Sequence, residues 1–332
     1  MTLGKQKIRA YLEGRDDEEL FARAAETKER VFGKTVFLRA VIEFSNHCNK
    51  RCQYCGLRAP NRELARYRMD KKTILEAAAV AADNDVGTVV LQSGDDFGYT
   101  TKDIGSLVRD IRAQHDVAVT LSVGDRSIEE YAYWRECGAD RCLVKLETTC
   151  PELYARFRMG EDFAKRLERV EALRDMGYEV GSGVIVGLPG MNVDTTLEDI
   201  LYLAKLDLDM VAAGPFIPNP QTPLAEEPVG DIALSHRVTA LLRLLNPGAN
   251  IPATSALAAL DPDSQKKALL SGCNVVMPSM TPEEHRSDYT IYPGKNLSHA
   301  TAAASLAAAR EAIRSIGLEP SSSKGFSKRE EI

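Results

Sequence analysis

No apolar run in this 332-residue sequence approaches the ~18–20 residues that a membrane-spanning helix needs. The first 30 residues are rich in Lys, Arg, Asp and Glu and contain no apolar core of a secretory leader. Both absences make the cytoplasm the expected setting, with no membrane partner. An excess of positive charge is missing too. The formal charge is −6 and the pI is near 5.6, whereas general binders of nucleic acid or membrane surfaces carry a basic face. A small molecule or another protein is left as the partner. A disulfide framework is also absent, because seven cysteines is an odd number and three of them crowd between positions 48 and 55. There is no repeat of fixed period and no long low-complexity stretch before the end of the chain.

What is present is a regular alternation. Residues 4–32 mix charge with Ile, Tyr, Leu, Phe and Ala at helical spacing, which predicts amphipathic helices ahead of the main domain. Strands are expected at 35–44, 88–93, 118–122, 141–147, 179–186, 210–213, 251–253 and 275–277. Helices are expected between them at 71–84, 102–114, 128–137, 163–176, 194–205, 234–245 and 262–270. Ser127 with Glu130 reads as a capping box, and Gly138 and Gly177 as helix C-terminal caps. Eight short apolar strands alternating with helices imply a parallel sheet, and the count favours a complete (β/α)8 TIM barrel over an open doubly wound sheet. The expected organisation is an N-terminal helical extension (1–33), the barrel (34–298), a C-terminal helix packed on it (299–320) and a mobile tail (321–332).

The chemistry is concentrated in Cys48-Asn-Lys-Arg-Cys52-Gln-Tyr54-Cys55, directly after the first strand. In a barrel this is the C-terminal face, where such folds place their active sites. The spacing lets one short loop wrap three thiolates around an iron–sulfur cube and leaves one iron open to an exogenous ligand. A zinc knuckle completed by His47 or a distant cysteine is the alternative, although no second Cys/His pair follows downstream. Cys137, Cys142 and Cys273 lie in apolar stretches and read as small buried hydrophobes.

Other strand ends carry polar groups. Ser93-Gly94-Asp95 closes the second expected strand, Ser122 the third, and Lys145-Leu146-Glu147 the fourth. Each is also an ordinary strand-to-loop turn. Arg166 sits in a helix, where a lone arginine is usually a solvated face. Gly187-Leu-Pro-Gly190 lacks the lysine and glycine spacing of a phosphate loop, and 214–224 reads as a stiff Pro-rich connector.

The three-cysteine loop with Tyr54 before its last cysteine resembles the signature of the radical S-adenosylmethionine (SAM) superfamily. That resemblance implies one 4Fe-4S cluster on Cys48, Cys52 and Cys55, with SAM chelating the open iron and cleaved by an electron to an adenosyl radical. Tyr54, Ser93, Gly94, Asp95, Ser122, Glu147 and Arg166 would then contact SAM, with Asp95 standing where the superfamily's Gly-Gly-Glu element has glutamate. From Ile42-Glu-Phe-Ser-Asn46 through Val90-Leu-Gln-Ser-Gly94, Gly214-Pro-Phe-Ile-Pro218 and Ile251-Pro-Ala-Thr-Ser255, the chain resembles the FeFe-hydrogenase maturase HydE-like family, a neighbour of biotin and methylornithine synthases.

That family acts on a small cysteine-bearing iron carbonyl–cyanide precursor. By this resemblance Gln92, Thr120, Lys145, Thr254, Ser255, Asn274, Tyr289 and Tyr292 would line the cavity and bind substrate. An external electron donor of flavodoxin or ferredoxin type is implied, and a maturation partner protein is left open. Two departures stand out. Lys145-Leu146 replaces the family's Arg-His, exchanging a planar bidentate donor for a point charge and removing a histidine expected in the cavity. No cysteine follows Cys273, so no auxiliary C-terminal cluster is expected. The competing functions are a radical amino-acid mutase of methylornithine synthase type, an enzyme of another thiol or thioether, and a non-catalytic iron–sulfur carrier.

Overall fold

The computed structural model describes residues 3–296 and 301–331. Eight segments of chain form a ring of parallel strands. The first is broken at Arg39 into β1 (Thr35–Leu38) and β2 (Ala40–Ser45). It is followed by β3 (Thr88–Ser93), β4 (Ala118–Ser122), β5 (Arg141–Leu143), β6 (Glu179–Val186) and β7 (Met210–Pro215). These pair in chain order from β2 to β7, all parallel.

Parallel bridges complete the circle. Met210 pairs with Asn250 and Pro252 with Val275 of β8 (Val275–Val276), while β8 pairs with β1 and Val41 bridges Ser279. The expected strand at 251–253 is therefore only a bridge. Pro252 has no N–H, so a regular ladder cannot run through it, and Val211 and Ala253 make their hydrogen bonds on either side of it.

Helices cover the ring where the periodicity placed them: Lys71–Asp83, Thr101–Gln114, Ile128–Glu136, Phe163–Asp175, Val193–Lys205, Ile232–Leu245 and Ser264–Leu270. The Ser127–Glu130 capping box forms, and Gly138 and Gly177 end their helices with φ of 104° and 76°. Short helices at Pro151–Phe157, Ser255–Leu260 and Glu283–Arg286 are additional. The N-terminal extension is Lys5–Leu12 and Asp17–Phe32, the second packed on Ile232–Leu245 with Asp17 paired to Arg237 at 2.7 Å. One large apolar core fills the space between helices and ring, with Trp134, Tyr11, Tyr131 and Phe44 fully buried.

Two expectations change. The strand at 141–147 stops at Leu143, because Glu147 adopts a left-handed backbone with φ of 67° and rejoins β6 only as an isolated bridge to Val184. The tail is not free. After the helix Ala302–Arg314, β9 (Glu319–Ser321) pairs with β1, and the chain then crosses the N-terminal ends of the barrel strands. There the carbonyls of Lys324 and Gly325 accept hydrogen bonds from Arg141 (2.7 Å), Thr88 (2.9 Å), Arg39 (3.1 Å) and Asn250 (3.0 Å). Buried side-chain donors hold the tail down. The boundary expected at 298/299 lies outside the described residues.

Candidate active site

β2 delivers the chain to the C-terminal mouth of the barrel, and the cysteine loop begins three residues later. Its backbone is anchored from three sides: Asn49 N donates to Asp95 O (3.1 Å), Gln53 N to Phe157 O (2.9 Å) and Gly56 N to Ile291 O (3.0 Å). The Arg66 guanidinium closes the loop by donating to the carbonyls of Asn46, Leu57, Arg58 and Asn61 at 2.5–3.1 Å. Gly94 is required by close approach, since a Cβ there would lie 2.3 Å from the His47 carbonyl oxygen and 2.7 Å from Cys48 Cβ.

Cys48, Cys52 and Cys55, all unbridged, face a single cavity of about 390 Å³. Burial pushes the Cys48 thiol up to about 12, with Asp95 adding to it, and burial raises Cys52 and Cys55 as well. Buried thiols favour the neutral form, and metal ligation is what drives the proton off. No three His, Cys, Asp or Glu side chains among the described residues are gathered tightly enough for one metal ion. Three thiols on one wall of a shared cavity, spread wider than a single ion demands, fit the corners of an iron–sulfur cube.

The other walls come from successive strand ends. Tyr54, Gln92, Ser93, Gly94, Asp95, Ser122, Lys145, Glu147, Arg166, Thr254, Ser255, Tyr289 and Tyr292 all line the same cavity. Glu147 is buried, and its carboxyl is held below the ordinary value: burial opposes this, while Lys145, Arg158 and Arg166 favour the charge. Lys145 Nζ stands 3.1 Å from Glu147 Oε2, an ion pair outside hydrogen-bond geometry. The Asp95 carboxylate accepts from Asp125 N (2.7 Å) and packs on Gly124, which has φ of +78° and where a Cβ would lie 2.2 Å from Asp95 Oδ2, leaving no room for a side chain. Burial and Asp125 raise its pKa.

The residues that follow β8 roof the cavity. Tyr289 OH accepts from Gln92 Nε2 (3.1 Å), Tyr292 OH lies 2.6 Å from Ser255 Oγ, and Lys295 pairs with the buried Glu43. Thr254 Oγ1 has no hydrogen-bond partner and faces the cavity. Thr120 is inward on β4, two residues below Ser122, buried and also unpartnered, although it does not form the cavity wall.

Besides Thr120, one expected contact is displaced. Asn274 lies behind the wall with its amide fully engaged. Its Oδ1 accepts from Arg243 Nη2 (2.9 Å) and Ile251 N (2.8 Å), and its Nδ2 donates to Asn250 Oδ1 (2.9 Å). Leu146 points into the apolar core, so the family's histidine at this position has no cavity contact to lose here. Four cationic cavity residues had escaped sequence reasoning: Lys50, Arg158, Lys295 and the buried Arg39 at the floor. So had Asp125, the acid that Lys50 and Arg158 approach. The one available signal was its place after the third strand, in Gly124-Asp125.

Comparison with known proteins agrees with this geometry. Residues 42–203 match the radical SAM superfamily. The chain is 42% identical to the FeFe hydrogenase maturase subunit HydE of Thermotoga maritima, over 94% of this chain and 90% of that one. It is 28% identical to the 3-methylornithine synthase of Methanosarcina acetivorans over 82% and 79% of the two. A crystal structure of methylornithine synthase shares the fold with a TM-score of 0.85, covering 97% of this chain and 95% of that one at 24% identity. A cysteine loop, a strand-end acid set and a roofed barrel of this kind, in a sequence so related, make the chain a radical SAM enzyme of the HydE family.

Proposed function

We propose that this enzyme binds SAM against the cysteine loop and turns its radical chemistry on a small polar, cysteine-bearing iron complex during assembly of a hydrogenase cofactor. The observation that carries the reading is the convergence of Cys48, Cys52 and Cys55 with Ser93 to Asp95, Glu147 and Arg166 around one roofed cavity. Bound together, a 4Fe-4S cluster and SAM supply an electron and an adenosyl radical.

The chain's own residues do the rest. Glu147 and Asp95 offer carboxylates to an ammonium or ribose, and Arg166 offers a fork to a carboxylate. Gln92, Thr254, Ser255, Tyr289 and Tyr292 converge where a polar substrate would sit, with Thr254 Oγ1 still open. The Tyr289–Gln92 and Tyr292–Ser255 contacts hold the roof closed and exclude water from a reactive intermediate. The absence of cysteine after position 273 supports a single cluster. We place its reduction with an acidic flavodoxin- or ferredoxin-like donor, its delivery step with a maturation protein, and the whole in the cytoplasm.

Lys145 favours a second reading. A point charge where the resemblance implies arginine suits a different anion, and relatives include 3-methylornithine synthases, so an amino-acid substrate is the competing case. The test is anaerobic cluster reconstitution, dithionite and SAM, with deoxyadenosine followed by mass spectrometry. Deoxyadenosine is expected and should vanish in Cys48→Ala, Cys52→Ala and Cys55→Ala. A fully loaded protein that makes none sinks the radical-enzyme reading. Consumption of the iron–cysteine complex rather than lysine would separate the two substrates.

A further inference from the structure

Two buried arginines share one buried aspartate beside the cysteine loop. Arg166 Nη1 donates to Asp125 Oδ1 at 2.5 Å, and Arg158 Nη2 donates to Asp125 Oδ2 at 3.0 Å. All three side chains are at least 93% buried. Lys50 Nζ and Arg169 Nη1 each approach the same carboxylate to 3.7 Å. Two guanidiniums side by side in a low-dielectric wall repel each other, and a carboxylate between them is what makes the arrangement tolerable.

The balance is incomplete. Among the described residues, Lys50, Lys145, Arg158, Arg166 and Arg169 face Asp95, Asp125, Glu147 and Glu161 in this cluster, five cations against four carboxylates. An anion is missing. Arg158 shows where it would be bound: it lines the cavity, and its Nε is buried with no hydrogen-bond partner. A buried donor of this kind is costly unless something accepts from it. Beyond Asp125 its contacts are weak, the Tyr54 hydroxyl 3.5 Å from Nη1 and the Glu161 carboxylate 4.0 Å from Nη2. Asp125 therefore grips one edge of each guanidinium, while Arg158 keeps an unpartnered Nε in the cavity wall.

Resting on the SAM-binding reading above, we propose that Arg158 joins Arg166 in a two-guanidinium clamp for the carboxylate of SAM, and that Asp125 is the positioning residue that holds the clamp together. The resemblance assigned neither Arg158 nor Asp125. Gly124 supports the arrangement from behind, since any side chain there would push the Asp95 carboxylate off the Asp125 amide.

The test uses the reconstituted full-length protein and two probes, SAM and decarboxylated SAM, with affinities measured by equilibrium dialysis. Iron content and thermal unfolding are recorded for each variant. Arg158→Gln should weaken SAM by about tenfold or more, the scale of a lost charge-assisted hydrogen bond, and leave the decarboxylated analogue within about twofold. Asp125→Asn should shift the same ratio in the same direction, and Arg158→Lys should restore part of it. The response of the reduced cluster's electron paramagnetic resonance spectrum to SAM should weaken in parallel. Equal weakening of both probes would mean a merely structural role and overturn the proposal, as would an unchanged ratio. If Arg158→Gln does not fold, the ratio in Arg158→Lys decides, and no change there also overturns it. Wild-type protein that binds no SAM would instead sink the underlying reading, so the two failures are separable.

Discussion

Glu147 is the residue at which local strain and chemistry meet. It holds a left-handed backbone, uncommon for a side chain of its size, because its N–H donates to Gly183 O (2.9 Å) and its carbonyl accepts from Ile185 N (2.8 Å). This kink swings the carboxylate off the end of β5 and into the cavity. Glu147→Gln keeps shape and hydrogen-bonding capacity but removes the charge. It should leave thermal unfolding nearly unchanged and cut deoxyadenosine formation by about 100-fold, the scale of a lost preorganised electrostatic contact. Similar activity in wild type and variant would exclude Glu147 from the SAM site. At this scale the sequence was readable wherever one short segment carried both residue types and spacing, as in Cys48 to Cys55. It was unreadable where separate loops contribute one member each, as for Lys50, Asp125 and Arg158. Asn274 was misjudged for another reason: strand-end irregularity decides which face a side chain takes, and the residue type does not record it.

At the level of elements, period and caps placed the long helices within a residue or two, because each buries one apolar stripe against the ring. Strands were less legible where pairing partners decide them: β8 is two residues long, and the seventh position of the ring is a bridge at Pro252. The helix Ile232–Leu245 carries a feature that no periodicity announces. His236 is buried with both ring nitrogens unpartnered, in a recess it shares with Asp231, Asp261 and Lys267. Burial, then Lys267, hold its pKa down at about 4 against the ordinary 6.5, with Asp261 pulling the other way. The folded state thus keeps the ring neutral while the unfolded chain takes a proton near pH 6.5. The stabilisation is complete above that pH and is lost as pH falls toward 4. Between pH 7.5 and 5 wild type should lose about 2 kcal/mol through this group. His236→Leu should lose correspondingly less over the same interval in denaturant titrations. Parallel curves for the two proteins would show that the ring does not titrate in this way.

The whole molecule is a barrel covered in part at both ends, and the two covers differ in kind. Above the cysteine loop, the roof from Tyr289 to Asn296 is tied by side chains to β3, to the helix at Ser255 and to Glu43. Below, the segment at Lys324 and Gly325 covers Arg39, which itself lines the cavity. Composition marked this polar C-terminal segment as mobile, because nothing in its sequence reveals that buried donors across the ring await its carbonyls. The floor is therefore both a structural and a chemical barrier. Gly325 has φ of +58°, and a Cβ there would come within 2.6 Å of the Phe37 ring, so Gly325→Val should lift the segment. Deleting residues 321–332 should do so completely. Either change strands Arg39 and Arg141 donors, each worth about 1–3 kcal/mol, and should lower Tm by at least about 5 °C. Water admitted through the floor should also quench substrate-directed chemistry, so deoxyadenosine formed per product should rise while total deoxyadenosine stays within about twofold, since the groups around the cysteine loop are untouched. An unchanged ratio of deoxyadenosine to product in a variant with lowered Tm would restrict the tail to holding the fold together.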